Sequence, residues 1–124
     1  MTDKILIADD EPNILLSLDY LMRREGFEVL LARDGHEALA LLQRERPRLV
    51  LLDVMMPGRS GHEVLEALRA DDALKHTLVL MLSAKGRETD VAKGLGLGAD
   101  AYITKPFSTQ ALVAQVRALL AGAA

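Results

Sequence analysis

Acidic side chains at the ends of apolar runs are where this sequence could do chemistry. Asp9 and Asp10 follow Ile5-Leu6-Ile7-Ala8, Asp53 follows Leu49-Val50-Leu51-Leu52, and Lys105-Pro106 follows Ala101-Tyr102-Ile103-Thr104. Each apolar run reads as a strand, so each polar group stands at a carboxyl end. Open parallel sheets bind ligands in the crevice outside those ends, where strand order reverses. If the strands are neighbours, three carboxylates and one ammonium converge. Such a cluster is unfavourable unless a divalent cation neutralises it, which points to a magnesium pocket beside a phosphoryl-transfer centre. The three acids supply three negative charges, matched by the three positive charges of Mg2+ and Lys105 together.

Plain structural roles compete for each residue. Asp10 or Glu11 could cap a first helix that has Pro12 in its first turn. That role does not call for two acids at the end of a buried strand. Asp53 could begin the turn Val54-Met55-Met56-Pro57-Gly58. Ser83, after Leu78–Leu82, is by itself a loop hydroxyl. Beside the acids it becomes a donor for a phosphoryl oxygen. Lys105 precedes a proline, whose preference for extended backbone aims the lysine toward the pocket.

The elements that must position these groups alternate along the chain as strand and helix, the pattern of an α/β fold with a parallel sheet. Ile5–Ala8, Leu49–Leu52 and Leu78–Leu82 are apolar at every position, as expected of strands covered on both faces. Ile14, Leu15, Leu18, Leu21 and Met22 form one helical stripe, and Val64, Leu65 and Leu68 another. The second helix is expected over about His36–Arg46, ended by Pro47, and the last over about Thr109–Leu120. Five strands joined by helices predict a doubly wound, flavodoxin-like sheet of order 2-1-3-4-5 with helices on both faces. Gly94 and Gly96 would each cost about 1 kcal/mol against alanine inside a helix. They predict a fourth helix that frays easily, with Gly98 near its C-cap.

At 124 residues the chain fits one domain, with no room for an output domain. Half of it is apolar but only 3% is aromatic, so aliphatic side chains must build the core. No cysteine is present, which excludes disulfides, thiolate metal sites and cysteine nucleophiles. No apolar run is long enough to cross a membrane, and no signal peptide is expected. The formal charge of -3, without a basic block, argues against nucleic acid as a direct ligand. A soluble cytoplasmic protein is expected. His36, His62 and His76 are expected to be exposed and without a chemical role.

Ile5-Leu6-Ile7-Ala8-Asp9-Asp10-Glu11, Leu51-Leu52-Asp53-Val54-Met55-Met56-Pro57-Gly58, Leu82-Ser83-Ala84 and Gly98-Ala99-Asp100-Ala101-Tyr102-Ile103-Thr104-Lys105-Pro106-Phe107 together resemble the receiver domain of two-component response regulators, the CheY-like superfamily. The resemblance covers essentially the whole chain in order and spacing. It implies that Asp53 accepts a phosphoryl group from a phosphohistidine of a sensor histidine kinase or phosphotransfer protein. It further implies that Asp10 and Asp53 ligate Mg2+ (or Mn2+) directly, with Asp9 acting through water and the Met55 main-chain carbonyl as another ligand. Lys105 would pair with the phosphoryl group, Ser83 would bond one of its oxygens, and Tyr102 would rotate inward with that movement. The resemblance also implies that Met55 and Lys85 would occupy positions that often tune the lifetime of the phosphoryl group in such proteins, in which the peptide matching Lys105-Pro106 is often cis.

The pattern also departs from close relatives. Receivers joined to winged-helix transcription factors carry two acids at the start of the fifth strand and a matching arginine in the last helix. Here the second acid is Ala101 and Gln115 stands near the arginine's place, although Asp100 and Arg117 remain. A monomer or weak dimer is therefore expected. The last helix is rich in Ala111, Leu112, Val113, Ala114, Val116, Ala118, Leu119 and Leu120; its inner part must pack on the sheet, and the rest predicts an exposed apolar strip for docking. The downstream protein would meet the face of the fourth helix, fifth strand and fifth helix. The function expected is a phosphoacceptor switch, not a turnover enzyme, whether independent or excised from a larger regulator or hybrid kinase. Rival readings are a Mg2+-dependent aspartyl-phosphate phosphohydrolase, a flavin carrier and a degenerate scaffold. The adjacent acids, the absence of tryptophan and the complete set of pocket residues count against them in turn.

Overall fold

A computed structural model describes residues 3–84 and 88–122. Strands β1 (Lys4–Ala8), β2 (Glu28–Ala32), β3 (Leu49–Asp53), β4 (Leu78–Ala84) and β5 (Ala101–Lys105) alternate with helices α1 (Pro12–Arg24), α2 (Gly35–Glu45), α3 (Gly61–Ala70), α4 (Glu88–Leu97) and α5 (Thr109–Gly122). All strand pairs are parallel, in the order β2-β1-β3-β4-β5. The expected order is thus observed, with β1 and β3 side by side at the reversal point.

The unbroken apolar runs divide by parity, because successive strand side chains point to opposite faces. Leu6, Ala8, Val50, Leu52, Val79 and Met81 pack with Ala38 and Leu42 of α2 and Val64, Leu65 and Leu68 of α3. Ile5, Ile7, Leu49, Leu51, Leu80 and Leu82 pack on the other face with Leu15, Leu18 and Met22 of α1 and Leu112, Val116 and Leu120 of α5. Two separate cores therefore share one sheet, and each stripe read from the sequence enters one of them.

Local signals set the helix ends. Pro12 occupies the first turn of α1, but the N-cap Glu11 makes no side-chain cap, and Asp9 Oδ1 instead accepts from the Glu11 N–H at 2.9 Å. Asp34 caps α2 by accepting from the Glu37 N–H at 2.8 Å. Ser60 and Glu63 form a capping box on α3. Arg46 adopts a left-handed conformation after α2, and its N–H returns to the Leu42 carbonyl before Pro47. Gly98 ends α4 with φ +105°, as a C-cap glycine should. Its carbonyl is gripped by Arg69 of α3, whose Nε and Nη2 donate at 3.0 and 2.8 Å. The same guanidinium bonds the carbonyls of Lys75 and Thr77 and the carboxylate of Asp100.

Two expectations about α5 are corrected or sharpened. Its large side chains at positions 112, 116 and 120 recur every four residues and all turn inward, while Val113 and Leu119 are half-buried. What faces solvent is Ala111, Ala114 and Ala118, so no strip of large apolar side chains is exposed there. Asp100 is held by Arg69 and also accepts from the Val79 N–H, while Arg117 pairs with Glu25 at 2.7 Å and lies over the Phe27 ring. Both charges left over from the dimer pattern are therefore engaged within the chain.

Amide hydrogen exchange should be faster in the middle of α4, at Gly94 and Gly96, than in the middle of α1. Equal protection in the two helices would show that the glycines do not weaken α4.

Candidate functional site

The register fixes which polar groups meet. Ala8 pairs with Leu52, so Asp9 and Asp53 leave adjacent strand ends together. Asp53 pairs with Leu82, and Ala84 with Lys105, which brings β4 and β5 to the same edge. Asp9 is wholly buried and Asp53 is 5% exposed, whereas Asp10 faces solvent. One oxygen from each of these three acids lies within 4.8 Å of the others.

Lys105 crosses the sheet edge to reach them. Its ammonium donates to Asp9 Oδ2 at 2.9 Å and to Asp53 Oδ1 at 3.3 Å, and lies 3.7 Å from Glu11. The Lys105-Pro106 peptide is cis. Burial opposes the charged lysine, but the Asp9 hydrogen bond and the charges of Asp53 and Asp9 outweigh it and raise the lysine above its ordinary pKa. Asp53 moves the other way from a simple ion pair. Burial and the Asp9 charge push its carboxyl up to about 6, against the pull of Lys105.

That imbalance is the physical test for a metal. Three acids and one lysine leave two negative charges in a pocket where two of the acids are buried. The donors are all carboxylate oxygens, which suit a hard divalent cation. The residues therefore fit Mg2+ or Mn2+. Met55 follows in the loop after β3, with an exposed side chain, while Met56 is buried in the core beneath α2 and α3. The two methionines thus have different surroundings.

Ser83 is 1% exposed and lies within β4, which runs past the expected end at Leu82. Its hydroxyl donates to the Ala84 carbonyl at 3.3 Å. Tyr102 pairs with Met81 and Ser83 with Thr104, so Ser83 and Tyr102 share the sheet face covered by α3 and α4. Lys85 lies outside the described residues. His36 and His76 are exposed, but His62 is 6% exposed, contrary to expectation, and its Nε2 lies 3.3 Å from the Tyr102 hydroxyl. The signal for its burial was its place three residues before Leu65, on the inward stripe of α3.

Comparison with known proteins agrees with this geometry. The family described as Response regulator receiver domain matches residues 5–117, and the chain belongs to it. A protein assigned as a response regulator from Chloroflexus aurantiacus is 33% identical, with a TM-score of 0.93 over 98% of this chain and 99% of that one. The receiver domain of a signal transduction histidine kinase from Syntrophus aciditrophicus is 32% identical, with a TM-score of 0.91 over 98% and 92% of the respective chains. Chemotaxis response regulator CheY4 of Vibrio cholerae is 31% identical, with a TM-score of 0.90 over 96% and 99%. The protein is thus a two-component receiver domain of the CheY-like fold, the class from which phosphorelay signalling is built.

Because folding raises the Asp53 pKa from 3.8 to about 6, the folded state binds this proton more tightly than the unfolded state does. The stability from that proton is present below pH 3.8 and lost as pH rises through about 6. In divalent-free buffer at pH 7, Asp53→Asn should therefore stabilise the fold, by on the order of 2 kcal/mol. The gain should shrink toward zero at pH 4 in urea titrations. A gain that does not vary with pH would locate its cause elsewhere.

Proposed function

We propose that this chain is a phosphoacceptor switch, one receiver unit over residues 1–124 in which Asp53 takes a phosphoryl group from a phosphohistidine. The observation that carries this reading is the Lys105 ammonium shared between Asp9 and Asp53 at the open end of the sheet. An Asp53 oxygen forms the new P–O bond as the P–N bond of the donor breaks, and the bonding pair returns to the imidazole. Asp53 must be ionised to do this, and a pKa near 6 leaves it ionised at neutral pH. Asp10, Asp53 and the Met55 main-chain carbonyl would hold Mg2+ directly, Asp9 would hold it through water, and Mn2+ would substitute. When bound, the ion supplies positive charge to the phosphoryl oxygens. Lys105 is free to leave one carboxylate for a phosphoryl oxygen while remaining paired to Asp9. Such a pre-placed ammonium stabilises charge developing on the transferred group.

Ser83 gives the response its route. A hydroxyl that turns from the Ala84 carbonyl toward a phosphoryl oxygen vacates space on the face that also carries Tyr102. The donor would be a sensor histidine kinase or phosphotransfer protein, in the cytoplasm. The signal would leave through a downstream protein on the face of α4, β5 and α5, where Leu95 is half exposed. Met55, whose exposed side chain borders the pocket in sequence, would shield the acyl phosphate from water, with Lys85 as its counterpart. The chain has no need of a separate metabolite. Its chemistry acts on itself, through transfer and later hydrolysis. Similarity to the receiver of a histidine kinase also favours a variant of the reading in which this unit serves within a hybrid kinase.

Intact mass after incubation with a small acyl phosphate should rise by one phosphoryl group with Mg2+, and by none when the ion is chelated. Asp53→Asn should show no gain. Lys105→Ala should still gain the group but lose the conformational response, read as shifts of amide resonances in α4 and β5. Phosphorylation of Asp53→Asn to the same extent would end the assignment of Asp53, and an unchanged response in Lys105→Ala would end that of Lys105.

A further inference from the structure

His62 and Gly94 stand outside the phosphoacceptor pocket, yet both meet the side chain that joins β5 to α4. The His62 ring is buried in the first turn of α3, with Nε2 3.3 Å from the Tyr102 hydroxyl. That turn is pressed against the end of β3. The Gly61 N–H donates to the Val54 carbonyl at 2.9 Å, and a Cβ on Gly61 would collide with the Asp53 carbonyl oxygen. His62 thus sits one residue from a backbone contact with the phosphoacceptor position.

Gly94 closes the other side of the ring. A Cβ there would collide with the Tyr102 hydroxyl and lie 2.9 Å from Cε2 and 3.0 Å from Cζ. The tyrosine occupies its inward place because residue 94 has no side chain, so this glycine supplies space and not merely looseness. An imidazole nitrogen suits the hydroxyl in either tautomer, since it can accept or donate. An apolar residue at position 62 would fill the same space and lose the bond.

We propose that His62 is a positioning residue for the switch. It holds the Tyr102 ring between α3 and α4 and over Gly94 already before phosphorylation, where the resemblance alone would have the ring turn inward only with it. The face made by α4 and β5 is then set partly by a hydrogen bond anchored beside Asp53, not by phosphorylation alone. This rests on the reading of Tyr102 as the aromatic that reports the state of the pocket. A neutral hydrogen bond of ordinary net strength shifts the ratio of inward to outward ring about fivefold.

The sequence makes the test direct, because it contains two tyrosines and no tryptophan. Tyr20→Phe leaves Tyr102 as the one tyrosine emitter. In that background, acrylamide quenching of the unphosphorylated protein should rise severalfold in His62→Leu and return most of the way in His62→Gln, which keeps a hydrogen-bonding group. Equal quenching in His62→Leu and its parent would overturn the proposal. Should His62→Leu fail to fold, Tyr102→Phe removes only the hydroxyl. It should shift the imidazole 15N resonances of His62 and leave those of His36 and His76 in place, and an unmoved His62 would overturn the proposal equally. If quenching follows the His62 variants but does not change on phosphorylation of Asp53, the positioning contact is upheld and the role of Tyr102 in the switch is what fails.

Discussion

A buried carboxylate beside another buried carboxylate is the constraint on which the pocket depends. Asp9 and Asp53 emerge from adjacent strand ends because β1 and β3 pair in parallel with Ala8 beside Leu52, in strands that pack apolar side chains on both sheet faces. Charges so placed repel each other in a medium that screens them poorly. Lys105 relieves only part of this, as the raised Asp53 pKa shows. The fold thereby maintains a site that gains free energy by receiving a cation. It is therefore sensitive to any change in the charge or proton carried by Asp53.

The framework that enforces this geometry is divided. Odd and even positions of β1, β3 and β4 feed two cores that do not mix, one under α1 and α5, the other under α2 and α3. Lys105 shares its parity with Ile103, which packs on the α1–α5 side, whereas Tyr102 packs on the α3 side. One strand therefore carries an ammonium group and an aromatic group to different layers, three residues apart along the chain.

Much of this was legible in the sequence because burial of strands on two faces leaves an unmistakable run of aliphatic residues. Ile5–Ala8 and Leu49–Leu52 located their strands, and the acids following them located the carboxylate cluster. Tertiary choices were less visible. His62 is a single polar residue on an otherwise apolar stripe, and its partner Tyr102 is distant in sequence, so periodicity could place its ring but not its bond. Gly94 read as a helix weakener, since nothing local reveals that a ring from β5 needs the missing methyl. On α5 the composition suggested a greasy exterior. Composition does not say which side faces out, and the four-residue spacing of Leu112, Val116 and Leu120 carried the answer.

The grip of Arg69 on Gly98 has a mechanical meaning. It fastens α4 at its carboxyl end, at the side of the sheet opposite the acids, through two hydrogen bonds to one carbonyl. A reorientation of α4 that leaves this grip intact is a swing about a fixed pin, not a translation. The helix is 10 residues, about 15 Å, long, so a tilt of about 10° carries its amino end some 2.5 Å, about the width of an atom. The helix then acts as a lever arm, with the smallest travel at the arginine and the largest beside the pocket.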